Sequence, residues 1–166
     1  MEQITLEEKI EKNIRETLVH YVLSYSYATY LFAIIIGVVL DMIFHIKIFS
    51  GQAFQYIGFV IIILSSMLVY WAQTTSRKAK KEKKTNGGEF NFFKGPYKYT
   101  KNPTHIGLSL TALGFGFMIG SFFVVLLIFF DFLVSKFVFL PKEEKLLEEK
   151  YGVQYLEYKK KIKTWL

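Results

Sequence analysis

The chain of 166 residues has no cysteine, which excludes disulfide bonds, thiolate metal ligands and a cysteine nucleophile. Histidine is also scarce. His20, His45 and His105 lack the spacing of metal ligands, so we expect no metal site. The 14 acidic residues are outnumbered by 21 lysines and arginines. No nucleic-acid recognition motif accompanies this positive charge, whereas basic residues beside a membrane are attracted to anionic lipid. We therefore expect membrane lipid, and no nucleic acid, as a partner.

Hydrophobic residues make up 52% of the chain and are concentrated in long runs. A helix needs about 20 apolar residues to cross the hydrocarbon core of a bilayer. The first two runs each have the length of one span, whereas residues 106–140 fit two spans with a break near Gly120 and Ser121. The sequence therefore predicts an all-α integral membrane protein, a single domain over residues 1–166 with about four transmembrane helices. The predicted spans are residues 21–44, 56–72, 105–119 and 121–140.

Both ends of the chain are predicted to be amphipathic. Residues 1–20 are expected to lie on the membrane surface. Residues 142–166 are expected to form one cytoplasmic amphipathic helix, because apolar or aromatic side chains recur there at intervals of three and four. This stripe consists of Leu147, Tyr151, Tyr155, Tyr158, Ile162 and Trp165.

The distribution of lysine and arginine predicts the orientation of the spans. The segment 73–104, expected to be a loop, carries nine of these residues, whereas the loop between the first two spans carries only Lys47. By the positive-inside rule, the 73–104 loop is cytoplasmic, and four spans then place both termini on the same side. The richness in lysine, isoleucine and phenylalanine favours a prokaryotic plasma membrane.

The segment Gly-Pro-Tyr-Lys-Tyr-Thr-Lys-Asn-Pro-Thr-His-Ile-Gly, residues 95–107, is polar and basic and leads into the third span. The pair Asn102-Pro103 predicts that a helix begins at Pro103, because proline disfavours helix before it and suits a first turn. The N-terminal amides of that helix favour a carboxylate or phosphate. A plain membrane-entry loop, with interfacial tyrosines and snorkelling lysines, is the other interpretation.

Three acidic residues of the second half are candidates for function. Glu143 and Glu144 follow the predicted hairpin, in the expected first turn of the last helix, where negative charge also suits the helix dipole. Because the hairpin returns the chain to the same side, we expect these acids to meet residues 95–107 in a polar pocket for a zwitterionic ligand. Asp131 lies inside the fourth span, where an acid serves either a function or a bond between helices.

These two segments resemble a membrane methyltransferase family that includes isoprenylcysteine carboxyl methyltransferases and phospholipid N-methyltransferases. Its pattern is approximately Gly-Pro-Tyr-x-x-x-Arg-(His/Asn)-Pro-x-Tyr-x-Gly, followed by a membrane hairpin and Glu-Glu-x-x-Leu-x-x-x-(Phe/Tyr)-Gly-x-x-Tyr-x-x-Tyr. The resemblance covers about residues 87–166. Lys101 replaces the arginine of the pattern and His105 replaces its second tyrosine. The matching residues are Gly95, Pro96, Tyr97, Asn102, Pro103, Gly107, Glu143, Glu144, Leu147, Tyr151, Gly152, Tyr155 and Tyr158.

The resemblance implies an S-adenosylmethionine-dependent methyltransferase without a Rossmann domain. The cofactor would lie in a pocket facing the cytoplasm, and a lipophilic acceptor would enter from the bilayer. Lys101 and Glu144 are candidates for positioning the reactants, and the resemblance identifies no other catalytic residue. The implied cofactor-binding residues are Tyr97, Lys101, Asn102, Pro103, His105, Gly107, Glu143 and Glu144.

The acceptor most expected from the resemblance is the carboxylate of an isoprenylcysteine, which would make the protein an O-methyltransferase. Isoprenylcysteine-specific members, however, carry an arginine shortly before the acidic pair. Residues 137–141 contain none, and only Lys136 and Lys142 are nearby. N-methylation of a phospholipid amine is therefore the alternative within the enzyme class. A small membrane adaptor without enzymatic activity is the alternative outside it.

Overall fold

The computed structural model describes residues 24–25, 27–46, 48–49, 51–86 and 91–162, apart from the side chains of residues 83, 84 and 86. The described residues contain no strand, which confirms the all-α prediction. The predicted surface segment 1–20 lies outside them. The helices are α1 (Tyr27–Phe44), α2 (Gln52–Asn86), a 3₁₀ turn (Gly95–Lys98), α3 (Pro103–Ile119), α4 (Phe122–Val134), a π-helical turn (Ser135–Phe139), α5 (Leu140–Tyr151) and α6 (Val153–Lys161).

Three stretches of helix are long and apolar enough to cross a membrane, namely Tyr27–Phe44, Gln52–Glu82 and Phe122–Tyr151. Helix α3 is also apolar but has only 17 residues. Large apolar side chains on these helices are exposed, as is typical of surfaces that face lipid. The fold is therefore that of a helical membrane protein, and its α3–α4 hairpin turns at Gly120 as the sequence predicts.

Glycine allows α2 and α3 to pack closely. A Cβ atom at Gly58 would lie 2.5 Å from the carbonyl oxygen of Gly114, and one at Gly114 would lie 2.9 Å from that of Gly58. Any larger residue at either position would push the two backbones apart. A hydrogen bond of 2.8 Å between Ser65 and Thr111 joins the same two helices.

Helix α1 is held by apolar packing and by polar bonds. Tyr30 belongs to a buried cluster with Ala112, Val124 and Ile128, and its hydroxyl lies 2.6 Å from Ser109 Oγ. Thr29 Oγ1 donates to Asp131 Oδ2 over 3.2 Å. Asp131 therefore bonds α4 to α1, which is one of the two roles open to an acid inside a span.

The prediction that residues 73–86 belong to a loop is wrong, because α2 continues to Asn86. No glycine or proline interrupts the chain between Gly58 and Gly87. Lysine, alanine and glutamate, which favour helices, fill much of the end of this stretch. Ala72 and Ala79 are buried, so one face of the extension packs against the rest of the protein.

The prediction of one separate helix over residues 142–166 is also wrong for residues 142–162, and residues 163–166 lie outside the described part of the chain. Helix α4 continues through the π-helical turn into α5, and the predicted helix is then interrupted at Gly152, where φ is 57°. The π-helical turn precedes Pro141, whose missing N–H interrupts the regular hydrogen-bond ladder. Glu143 and Glu144 therefore do not lie at a free helix N-terminus, so the helix dipole does not account for them.

Candidate active site

A cavity of about 440 Å³ lies where the 3₁₀ turn, the start of α3, helices α5 and α6 and the extended end of α2 meet. Its volume is in the range of small-molecule binding sites. The structure thus brings together the two sequence segments that flank the hairpin. Six of the predicted site residues line the cavity: Tyr97, Lys101, Asn102, Pro103, His105 and Glu143.

His105 and Glu143 form a buried pair on the cavity wall. His105 Nε2 lies 3.0 Å from Glu143 Oε2, and the two side chains are 6% and 13% exposed. The pair joins α3 to α5 across the hairpin. The other ring nitrogen, His105 Nδ1, is buried and has no hydrogen-bond partner among the described residues.

Lys101 and Glu144 form a second buried pair beside the first. Lys101 Nζ lies 2.5 Å from Glu144 Oε1, and both side chains are about nine-tenths buried. Lys159 of α6 lies 2.9 Å from Glu144 Oε2 and 2.6 Å from Glu148 Oε1. These hydrogen bonds to Glu148 and Glu144 raise the pKa of Lys159. Glu144 is thus held between two lysines and does not line the cavity, which indicates that it anchors the 3₁₀ segment and α6 to α5.

Asn102 lies at the predicted helix start and lines the cavity. Its backbone precedes the first turn of α3, and its carbonyl accepts the hydrogen bond from Ile106 N over 3.2 Å. Its side chain, however, does not cap the helix, and Nδ2 is buried without a partner. A buried N–H group without a hydrogen-bond partner costs free energy, so nothing within the described residues accounts for the position of Nδ2.

Aromatic side chains cover the cavity from the side of α6. Tyr155 and Tyr158 are almost fully buried, and the Phe92 ring lies 5.4 Å and 5.2 Å from theirs. Tyr158 donates its hydroxyl hydrogen to the carbonyl oxygen of Tyr97 over 2.8 Å. Burial raises the pKa of Tyr97, Tyr155 and Tyr158, so these hydroxyls stay protonated at neutral pH.

Gly107 does not line the cavity. A Cβ atom there would lie 2.5 Å from Val69 Cγ2, so the glycine allows α3 to approach α2. Its effect on the site is therefore indirect, through the position of the first turn of α3.

Sequence reasoning missed the contribution of α2 to the cavity. Gln73, Thr75, Ser76, Arg77 and Lys80 line it, although the basic run appeared to be a loop attracted to lipid. The buried Ala72 and Ala79 are seven residues apart, with Ser76 between them, which is helical spacing. This spacing of small residues, together with the absence of glycine and proline, could have predicted that α2 extends to Asn86.

We compared the chain with models of known protein families. The model of the phospholipid methyltransferase family matches residues 53–154, which is well over half of the chain and includes all predicted site residues. The chain belongs to this family. No curated protein and no solved structure matches it. The protein is therefore a membrane methyltransferase, as the sequence resemblance implied, rather than an adaptor. The family uses S-adenosylmethionine in general.

Proposed function

We propose that the 440 Å³ cavity binds S-adenosylmethionine and that the enzyme transfers its methyl group to a lipid-borne acceptor. One observation carries this proposal. Asn102 Nδ2 and His105 Nδ1 are buried polar atoms without partners, and both belong to residues that line the cavity. Native structures rarely leave such atoms unsatisfied unless a ligand or water completes them.

The residues of the cavity fit the chemistry of this cofactor. The ammonium and ribose hydroxyls call for acceptors, and Glu143 Oε1 makes no hydrogen bond to the described residues. The carboxylate calls for donors, which Asn102 and the cationic Arg77 and Lys80 supply. The sulfonium and adenine suit aromatic faces such as that of Tyr97.

The chain has to orient the reactants and exclude water. A bound S-adenosylmethionine supplies a methyl group that its sulfonium already activates. Phe92, Tyr155 and Tyr158 pack together as an aromatic cover, which would limit the access of water to the bound cofactor. The pair of Lys101 and Glu144 holds the 3₁₀ segment against α5. Orientation of this kind can lower a barrier by roughly 7–11 kcal/mol.

The acceptor is carried by a lipid, because the cavity adjoins helices whose exposed faces are apolar. The family resemblance implies two acceptors, an isoprenylcysteine carboxylate and a phospholipid amine. We place the cavity on the cytoplasmic side of a prokaryotic plasma membrane, where the lysines and arginines of residues 73–104 meet the positive-inside rule.

Calorimetric titration of the detergent-purified protein with S-adenosylmethionine tests the cofactor site. Asn102→Ala should raise the dissociation constant about 10- to 100-fold, because one hydrogen bond to a charged ligand is worth about 1.5–3 kcal/mol. Its fold should remain, since Asn102 Nδ2 has no hydrogen-bond partner among the described residues. Glu149→Gln, on an exposed position of α5, is the control and should bind normally. Absence of binding by the folded wild type would contradict the proposal.

An assay with S-adenosylmethionine labelled in its methyl group then distinguishes between the two candidate acceptors. The enzyme is supplied with a prenylcysteine or with phosphatidylethanolamine in mixed micelles. A base-labile methyl ester identifies a carboxylate acceptor, and a base-stable N-methyl lipid identifies an amine. No transfer to any lipid by a protein that binds the cofactor would contradict the lipid-borne acceptor.

A further inference from the structure

One residue of the cavity wall belongs to the first membrane span. Tyr27, at the start of α1, lines the cavity, and the centroid of its ring lies 5.7 Å from that of His105. Within the described part of the chain it is the one lining residue that α1 contributes. Helix α1 lies outside residues 53–154, which the family model matches. The family match therefore gives Tyr27 no role, and its position has to be explained from the structure.

The cavity extends away from the membrane between α2 and α5. Along α5 its wall runs from Glu143 to Tyr151, which is about 12 Å at the rise of an α-helix. Along α2 it runs from Gln73 to Lys80, which is about 10 Å. Gln73 and Glu143 closely follow the apolar runs of the chain, whereas Lys80 and Tyr151 lie farther along their helices. The cavity therefore has a membrane end and a distal end.

Tyr27 lies at the membrane end of the cavity. Its ring contacts His105 in the first turn of α3, and its hydroxyl is within electrostatic reach of the Glu143 carboxylate. From Tyr27 onward α1 is an apolar helix that leaves Leu31 and Phe32 exposed, as a lipid-facing surface does. Tyr27 is thus placed where the polar cavity meets a helix that faces lipid.

Tyr27 differs from an ordinary interfacial tyrosine. Tyr25, two residues earlier, fits that description, because it is 55% exposed, contacts the ring of Phe139 and does not line the cavity. Tyr27 is partly buried and lines the cavity. Its hydroxyl makes no hydrogen bond to the described residues, unlike that of Tyr30, which bonds to Ser109. This hydroxyl is therefore available to a bound molecule.

We propose that Tyr27 contacts the polar head of the methyl acceptor, so that the first span forms part of the active site. This inference rests on the proposed function. An acceptor carried by a lipid keeps its chain in the bilayer, so its reactive group enters the cavity at the membrane end. The residues that match the polar groups of the cofactor belong to α2, α3 and α5 or directly precede α3. A phenol hydroxyl both donates and accepts hydrogen bonds, so it can hold a carboxylate or an amine.

Steady-state kinetics of Tyr27→Phe test the contact. Phenylalanine keeps the ring beside His105 and removes only the hydroxyl. The acceptor is the one that the wild type methylates, prenylcysteine or phosphatidylethanolamine in mixed micelles. Its KM should rise about 10-fold, which is the lower limit for losing a hydrogen bond to a charged group. Calorimetry should show S-adenosylmethionine bound as tightly as by the wild type. Tyr25→Phe is the matched control and should keep the wild-type KM.

Cysteine labelling tests the same contact without turnover. The chain has no cysteine, so Tyr27→Cys carries the only thiol. S-Adenosylhomocysteine, the demethylated form of the cofactor, is bound first so that no methyl group can be transferred. A saturating concentration of the acceptor should then slow the reaction of Tyr27→Cys with a small maleimide several-fold and leave Tyr25→Cys unaffected. An unchanged labelling rate of Tyr27→Cys would overturn the inference.

Two kinetic outcomes also overturn the inference alone. In the first, Tyr27→Phe is folded, binds S-adenosylmethionine and retains the wild-type KM for the acceptor. In the second, the variant binds S-adenosylmethionine about 10-fold more weakly and its KM for the acceptor is unchanged, which would assign Tyr27 to the cofactor. Failure of the wild type to bind S-adenosylmethionine, or to methylate any lipid, overturns the proposed function, and this inference with it.

Discussion

A carboxylate side chain lies beside each end of α3, but the two carboxylates have different hydrogen-bond surroundings. At the C-terminal end, Asp41 accepts hydrogen bonds from the Ser121 hydroxyl and, over 3.5 Å, from Phe123 N. At the N-terminal end, Glu143 accepts one from His105, and polar atoms of His105 and Asn102 stay unsatisfied. The first carboxylate completes a turn of the chain. The second lies on the wall of the cavity that we propose binds the cofactor, where Asn102 Nδ2 and His105 Nδ1 have no partner among the described residues.

The largest contrast should appear in activity. Glu143→Gln should lower methyl transfer at limiting S-adenosylmethionine about 10- to 100-fold, because a neutral amide on the cavity wall holds the ammonium of the cofactor less strongly than a carboxylate does. Asp41→Asn should leave this rate unchanged, since Asp41 lies at the opposite end of α3. Radiolabelled methyl transfer measures both. Equal losses in the two variants would remove the distinction between the ends.

Stability should respond strongly to the buried lysine near the cavity. Lys101→Met should lower the free energy of unfolding by about 3–5 kcal/mol, because it leaves Glu144 with less compensating charge in a buried position. The remaining contact with Lys159 favours the lower part of this range. Thermal unfolding in detergent measures the loss, with Lys142→Met on an exposed position as control. An unchanged unfolding temperature would show that the pair does not anchor the site.

A smaller effect on stability is expected at the other end. Ser121 Oγ accepts a hydrogen bond from Val124 N over 3.0 Å and so caps α4. Ser121→Ala should cost about 1–3 kcal/mol of unfolding free energy, because it removes both the N-cap and the hydrogen bond to Asp41, and should leave methyl transfer unchanged. The same unfolding and transfer assays apply. A loss of transfer that exceeds the loss of folded protein would contradict the structural role.

The side of the membrane on which each end of α3 lies should be measurable by cysteine labelling. Because the chain has no cysteine, each introduced cysteine is the only one in the protein. In intact cells, a membrane-impermeant maleimide should label His45→Cys and not Glu149→Cys, both at exposed positions. Cell lysis should then expose Glu149→Cys to the reagent. Labelling of Glu149→Cys in intact cells would reverse the proposed topology.

The sequence predicted the local features well. The apolar runs, the helix start at Pro103 and the hairpin turn at Gly120 each follow from short-range rules of hydropathy and backbone geometry. The resemblance in two motifs also led to the family that the comparison later showed. The helix predictions were wrong at residues 73–86 and 142–162. Both errors concern where a helix continues or breaks, which depends on packing against other segments.

The sequence by itself therefore determined the all-helical membrane architecture and the family, because hydropathy and motif spacing are properties of the chain alone. Only the tertiary structure decided that His105 pairs with Glu143 and Lys101 with Glu144. It also decided that α2 extends along the cavity. These pairings join residues about forty positions apart. They arise because the hairpin returns the chain and packing excludes water, and no local pattern encodes which side chains then meet.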